Sequence, residues 1–406
     1  MLFFFPCLVF AQNTIGLPSS INYSRQNYGA GLQNWDVAQD RNGLIYFANN
    51  EGMLSFDGKN WTLYPLPNKT IVHSVAIGAD SRIYVGGQDE LGYFEPSVNG
   101  RLQYHSLIDL IVVTDRSFGD VWDIVVLNGE VFFRSPHTIF KFNQKAISSY
   151  KASSEWALMA ACHNQLYAHD YSLGLLRFSN NEWKPAAQKN TLPVNDAVTA
   201  LLPAGSDSVV ITTLKNGLFV FHQNKISKLS FANTSVFENE RIYGATKIND
   251  QWLALATNNG GVYIVDQKGI IIQRFSKAEG LQNNNVLSIF LDNQNNLWLG
   301  LDTGIDFIAY NSAIKNINPP FQDGSGYAAI VFKKRLYIGT SNGLFSIPLQ
   351  PLLDLSFSKG NFELVAGTKG QAWSLQQING NLLLGHHEGA FLIKENAAIN
   401  MAATPG

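Results

Sequence analysis

A recurring aromatic or histidine carries most of the chemistry that this chain can offer. Trp35, His73, Trp122, Trp156, Tyr243, Tyr327 and Trp373 each stand about ten to twelve residues ahead of a short apolar segment. Two members of the series carry aliphatics instead, near Val198 and Leu287. Aromatic faces with a polar handle stack on sugar rings and other flat ligands. Asn34, Asp36, Asp120, Asp123 and Arg241 lie close by in sequence and offer hydrogen bonds to such a ligand. The same rings serve equally well to pack one element on the next, because large aromatics are mostly buried. Position in the sequence does not separate the two uses.

Catalytic and metal-binding groups are sparse. His386, His387 and Glu388 are neighbours, and neighbours on a strand point to opposite faces, so only one of them serves a given site. Cys162 and His163 are adjacent and make no dyad on that ground alone. His163 and His169 flank the apolar run Gln165 to Ala168 and read as turn residues. Asp40 and Asp292 head polar turns, where aspartate caps the following backbone amides. Glycosidase chemistry would need paired carboxylates in one pocket, and no nucleophile elbow is present. The chain is therefore expected to be no enzyme as it stands, with no cofactor and no metal.

The elements that position the aromatics repeat. Val286 to Asp292, a polar turn, Leu297 to Gly300, and a glycine turn at Gly304 give strand, turn, strand, turn, strand. The same order runs from Trp35 through Tyr46 and Gly52 to Trp61. Counting second strands at Tyr46, Tyr84, Phe132, Tyr167, Ile211, Leu255, Trp298, Tyr337 and Leu383 gives units about 42 residues apart. Four short strands with tight turns fill about 40 residues, which is one propeller blade. Alternation of period two argues against a helical solenoid. The predicted fold class is all-β, a β-propeller of four-stranded antiparallel blades. In such a ring the first strand of each blade is innermost, so the aromatic series would line the mouth of a central channel.

Single propellers close with about four to eight blades, so nine units imply a break. The stretch Asn316 to Gly324, with Pro319 and Pro320, is the expected linker. It separates a seven-bladed propeller at 21–316 from the first two blades of a second, incomplete one at 317–406. Ala397 to Gly406 reads as a fourth strand cut short, as in a fragment of a longer protein. Residues 1–11 read as a signal peptide, with Leu2 to Phe10 apolar and Ala11 at the cleavage point. No basic residue precedes the run, and a buried first strand is the alternative. With 29 basic against 31 acidic residues there is no basic stripe for nucleic acid. No later run is long and apolar enough to span a bilayer. Cys7 and Cys162 are the two cysteines, too few for a disulfide framework.

Asp292 to Gly304 resembles the two-component regulator propeller repeat, which reads Asp, a polar turn, Asn-Leu-Trp, an apolar residue, Gly-Thr and a turn Gly. Asp40 to Gly52 and Leu336 to Leu344 are similar to it, and Trp35 to Trp61 is similar to the first blade of sensors whose propellers precede a triple-tyrosine domain. The resemblance implies the periplasmic, ligand-sensing region of a signalling receptor that binds a small molecule or an oligosaccharide. It implies attachment to the membrane, and output through a histidine kinase or transcription regulation, only by parts outside this chain. A homodimer is left open. On this reading the ligand would touch Trp35, His73, Trp122, Trp156, Tyr243, Asp36, Asp123 and Arg241. The alternatives are a carbohydrate-acting hydrolase or lyase on a propeller scaffold, and a protein-binding scaffold.

Overall fold

Ile45–Asn49 and Gly52–Phe56 are buried along their whole length, whereas Asn34–Gln39 before them and Trp61–Tyr64 after them are only partly buried. These four strands form one antiparallel sheet in chain order. Middle strands covered on both faces need apolar residues throughout, while edge strands need them on one side only. The pattern repeats through the computed structural model, which describes residues 16–188, 191–193, 196–317, 319, 324–349 and 362–401. The segment expected to be a signal peptide lies outside the described residues, as does most of the expected linker. Among the described residues no helix is long and apolar enough to cross a membrane.

Among the described residues nine four-stranded antiparallel sheets result, and each contains one of the nine second-strand residues counted from sequence. The chain divides into two units. Ser19–Ser312 is one, and residues up to Pro18 together with Ala313 onward form the other.

The first unit holds seven sheets. Their first strands are Asn34–Gln39, Val72–Ile77, Asp123–Leu127, Trp156–Cys162, Val198–Ala204, Ile242–Lys247 and Val286–Leu291. Each touches the next, and the seventh touches the first. The unit is thus a closed seven-bladed β-propeller with these strands innermost. Its core sits between sheets. Tyr46, Val72, Val85 and Phe94 fill the gap between the first and second. Phe132, Trp156, Leu166 and Leu176 fill that between the third and fourth.

Ring closure is not sequential. The fourth strand of the seventh sheet is Ser20–Tyr23, from the start of the unit, paired with Gly304–Ile308 in the register Asn22↔Asp306. Asn22 Nδ2 donates to Asp306 Oδ1 (2.7 Å), and the Gln282 side chain donates to the same oxygen (2.8 Å). Gly304 is required here for two reasons. Its φ is +117°, and a Cβ would stand 3.0 Å from the Tyr23 carbonyl oxygen. Behind the junction Tyr28, Phe47, Phe56, Trp298 and Ile305 pack together.

In the first, second and seventh sheets a turn aspartate ties the second strand to its turn. Asp292 Oδ1 accepts the backbone N–H groups of Gln294 and Asn296, while Oδ2 accepts the Trp298 indole N–H (3.2 Å). Asp40 treats Asn42, Leu44 and Tyr46 in the same way, and Asp80 treats Arg82 and Tyr84 likewise. One carboxylate thus caps the turn and satisfies the polar end of a buried ring.

The second unit has two sheets and a short ribbon. The ribbon pairs Leu17–Pro18 with Lys315–Asn316. The sheets start at Gly326–Phe332 and at Ala372–Ile378, with Tyr337, Leu344, Leu384 and Phe391 between them. Ala397–Asn400 is the fourth strand of its sheet and pairs with Gly389–Lys394 in the register Phe391↔Asn400 to Lys394↔Ala397. His169 differs from expectation. It belongs to the strand Gln165–Asp170 and is buried, because the strand continues two residues past its apolar run. Burial pushes its imidazole down to about 4.

Candidate functional site

Pairing along the innermost strands skips one residue at a fixed place. In the first sheet Asn34 and Asp36 pair with consecutive partners, and Trp35 between them is unpaired. His73, Tyr243 and Leu287 are skipped in the same way in the second, sixth and seventh sheets. Ala157 and Thr199 take this position in the fourth and fifth. Such a β-bulge re-aims a side chain that regular pleating would send into the space between sheets. In the third sheet Trp122 directly precedes the first paired residue, Asp123. Together these seven residues line one cavity of about 670 Å³ at the axis of the propeller.

The bulge explains which of the expected residues reach the cavity with a ring. Trp35 and Trp122 are half-buried and meet edge to face at 5.7 Å. His73 lies 4.2 Å from the Trp122 ring and 5.1 Å from that of Trp35. Trp156 also borders the cavity, but it stands one residue before the bulge, in register with Asp170, and its ring turns against Trp183 and is only 2 % exposed. Val198 is likewise one residue out of phase, and Thr199 occupies the cavity position of its sheet. Tyr327 and Trp373 are bulge residues of the second unit and are exposed there.

Of the expected polar partners, Asp36 and Asp123 line the cavity and Arg241 does not. Arg241 ends the helix Thr234–Glu240 with a φ of +60° and is exposed ahead of its strand. The guanidinium in the cavity is that of Arg134, from the second strand of the third sheet, which sequence reading passed over. Arg134 is an unusual charge within a buried strand, Glu130–Arg134, and that was the available signal. Its Nε pairs with Asp123 Oδ2, and its Nη1 donates to the Trp156 carbonyl (2.8 Å). Asp123 Oδ2 also accepts the Met159 N–H (2.6 Å). Asn34 is fully buried and spends its amide on the Leu32 and Gly304 carbonyls, a structural task.

Among the described residues no cation pairs with Asp36. Its oxygens accept the N–H groups of Val37 (2.8 Å) and Val75 (3.0 Å). The carboxylate opens on the channel yet is enclosed by protein. Burial pushes it up to about 7, the two amides oppose this, and the Asp123 charge adds to it. His73 Nε2–H donates to the Asp120 carboxylate (3.3 Å), and burial holds the imidazole pKa below its usual value despite that carboxylate. Burial also raises the Tyr243 phenol. Among the described residues no cluster of three side chains is arranged to hold a metal ion.

Asp36 makes stability depend on pH. In the unfolded chain it releases its proton near 3.8, and in the folded one near 7. Between those values the folded state binds more protons, so stability conferred below about pH 4 is lost as pH rises toward 7. Asp36→Asn removes that slope. Urea midpoints measured from pH 4 to 8 should show wild type losing stability relative to the variant across this window. Parallel curves would mean that Asp36 titrates as an ordinary carboxylate.

Residues 280–303 match the two component regulator propeller family. No curated protein matches the chain. Among solved structures, it is similar to the extracellular domain of BT4673 of B. thetaiotaomicron. That protein is described in one structure as a one component system (18 % identity, TM-score 0.59) and in another as a hybrid two component system (20 %, 0.58). The match covers 95 % of this chain but 54 % of that domain, so the chain spans about half its length. It is also similar to virginiamycin B lyase from Staphylococcus aureus, at 13 % identity and a TM-score of 0.55, over 71 % of this chain and 97 % of the lyase. The WD40 propeller domain of Doa1 gives 12 % and 0.56, over 72 % of this chain and 96 % of that domain. These likenesses establish the propeller fold, and the family match places a regulator-propeller repeat in the seventh sheet.

Proposed function

We propose that this chain is the extracytoplasmic ligand-sensing region of a signalling receptor of the two-component type, and that it binds its ligand in the axial channel without transforming it. One observation carries the reading. Inner strands from all seven sheets converge on a single cavity, and a repeated bulge spends ladder pairing to turn Trp35, His73 and Tyr243 toward it. A fold that needed these rings only for packing would leave them in register, as it does with Trp156. The regulator-propeller repeat and the likeness to an extracellular sensor domain support the same reading. Aromatic faces beside carboxylates suit an oligosaccharide. A periplasmic location, an anchor and an output domain belong to the proposal through that likeness alone.

Oligosaccharides should raise the unfolding temperature of the propeller, because a ligand at a hundredfold excess over its Kd adds about 2.7 kcal/mol. Trp122→Ala should abolish most of that rise and Trp373→Ala should not. Equal rises in both variants would place the ligand elsewhere.

A second reading, a propeller enzyme acting on carbohydrate, draws on Asp36 and Asp123. Two nearby carboxylates with different environments are how hydrolases divide acid and base roles. Release of shortened sugars by wild type but not by Asp36→Asn would favour the enzyme over the sensor.

A further inference from the structure

We propose that the ligand of the axial channel presents a protonated amine, as an amino sugar does, held by Asp36 and His73 between the rings of Trp35 and Trp122. The inference rests on the channel being the ligand site, and it adds the charge class of the ligand.

The balance of donors and acceptors around the cavity decides this. Among the described residues Arg134 is the one Lys or Arg lining it, and its guanidinium is committed to Asp123 and to the Trp156 carbonyl. The Trp35 indole N–H is committed to Asn50 Oδ1 (2.6 Å). What remains is mostly acceptor. Asp36 offers carboxyl oxygens met only by two backbone N–H groups. His73 Nδ1 is buried with no partner, in a side chain only 5 % exposed. With Nε2 turned to Asp120, a neutral His73 leaves Nδ1 as a bare lone pair. The unspent side-chain donors among the described lining residues are neutral, the Trp122 indole and the Tyr171 and Tyr243 hydroxyls among them, and they suit sugar hydroxyls.

Charge points the same way. Asp36, Asp123 and, at the rim, Glu155 face the cavity against Arg134 alone, with the Asp120 carboxylate behind His73. An anionic ligand would meet this excess with no free cation. An ammonium group would supply the donors that Asp36 and His73 lack and would gain from the indole faces beside it. The raised Asp36 pKa adds a signature. A bound cation stabilises the ionised carboxylate, so binding near neutral pH releases a proton, and affinity rises with pH until the ligand's own amine loses its charge.

The test is calorimetric titration of the whole chain with three trimers: glucosamine, N-acetylglucosamine and galacturonate. The glucosamine trimer should bind at least about tenfold more tightly than its acetylated form. At pH 7 its heat should vary with the ionisation enthalpy of the buffer, reporting proton release. Asp36→Asn should weaken it roughly 10- to 100-fold and abolish the buffer dependence, in a variant shown to unfold as cooperatively as wild type. Equal or tighter binding of the acetylated or acidic trimer, still weakened by Trp122→Ala, would overturn the amine and leave the channel site standing. No binding of any trimer would overturn the amino-sugar inference and the oligosaccharide reading together.

Discussion

Trp298→Ala should cost about 3–5 kcal/mol, the usual loss for deleting a large buried aromatic. Trp298 is 5 % exposed and touches the rings of Phe47, Phe56 and Phe307, while Tyr23 stacks over it at 6.1 Å. It therefore joins the seventh sheet to the first, and to the strand that closes the ring. Removing the ring also strands Asp292 Oδ2, which loses its indole donor. Trp298→Phe should recover most of the packing and still lose the hydrogen bond, at a net cost of about 1–2 kcal/mol. Trp373→Ala, at a residue 51 % exposed, should fall within about 0.5 kcal/mol of wild type. Chemical denaturation of the three variants checks the order. A loss below about 1 kcal/mol for Trp298→Ala would show that closure does not depend on this contact.

The second large effect belongs to Arg134. Arg134→Met removes the cation from a nearly buried pair, whose side chains are 7 % and 20 % exposed, and leaves the Asp123 carboxylate without its partner. Breaking such a pair from one side costs about 3–5 kcal/mol, because the surviving charge stays desolvated. The double variant Arg134→Met with Asp123→Asn removes both charges and should be the more stable of the two. Urea midpoints of the single and double variants test this. A double variant as unstable as the sum of its parts would mean that the pair acts through packing rather than charge.

Legibility in the sequence followed the range of each interaction. The seventh unit was the plainest, because its apolar run, its turn aspartate and its turn glycine coincide at Asp292, Trp298 and Gly304, while the third and fourth, which lack that aspartate, were found by their apolar runs and spacing. Strand alternation, Asx capping and positive φ are decided within a few residues. The aromatic series was legible for the same reason. Its geometry was not, because a bulge is defined by the partner strand: Trp35 is skipped and Trp156 is paired, although both stand at the start of an inner strand.

Sequence by itself determined the all-β blades, their number, and the carboxylates and rings at the inner strands, since each follows from local periodicity and backbone chemistry. Tertiary structure alone decided three things. Ser20–Tyr23 completes a sheet that begins more than two hundred residues later. Arg134, not Arg241, supplies the channel guanidinium. Asp36 loses the solvent that would keep its pKa ordinary. All three depend on which distant strands close the ring and how much water they exclude, and no local stretch of chain encodes either quantity.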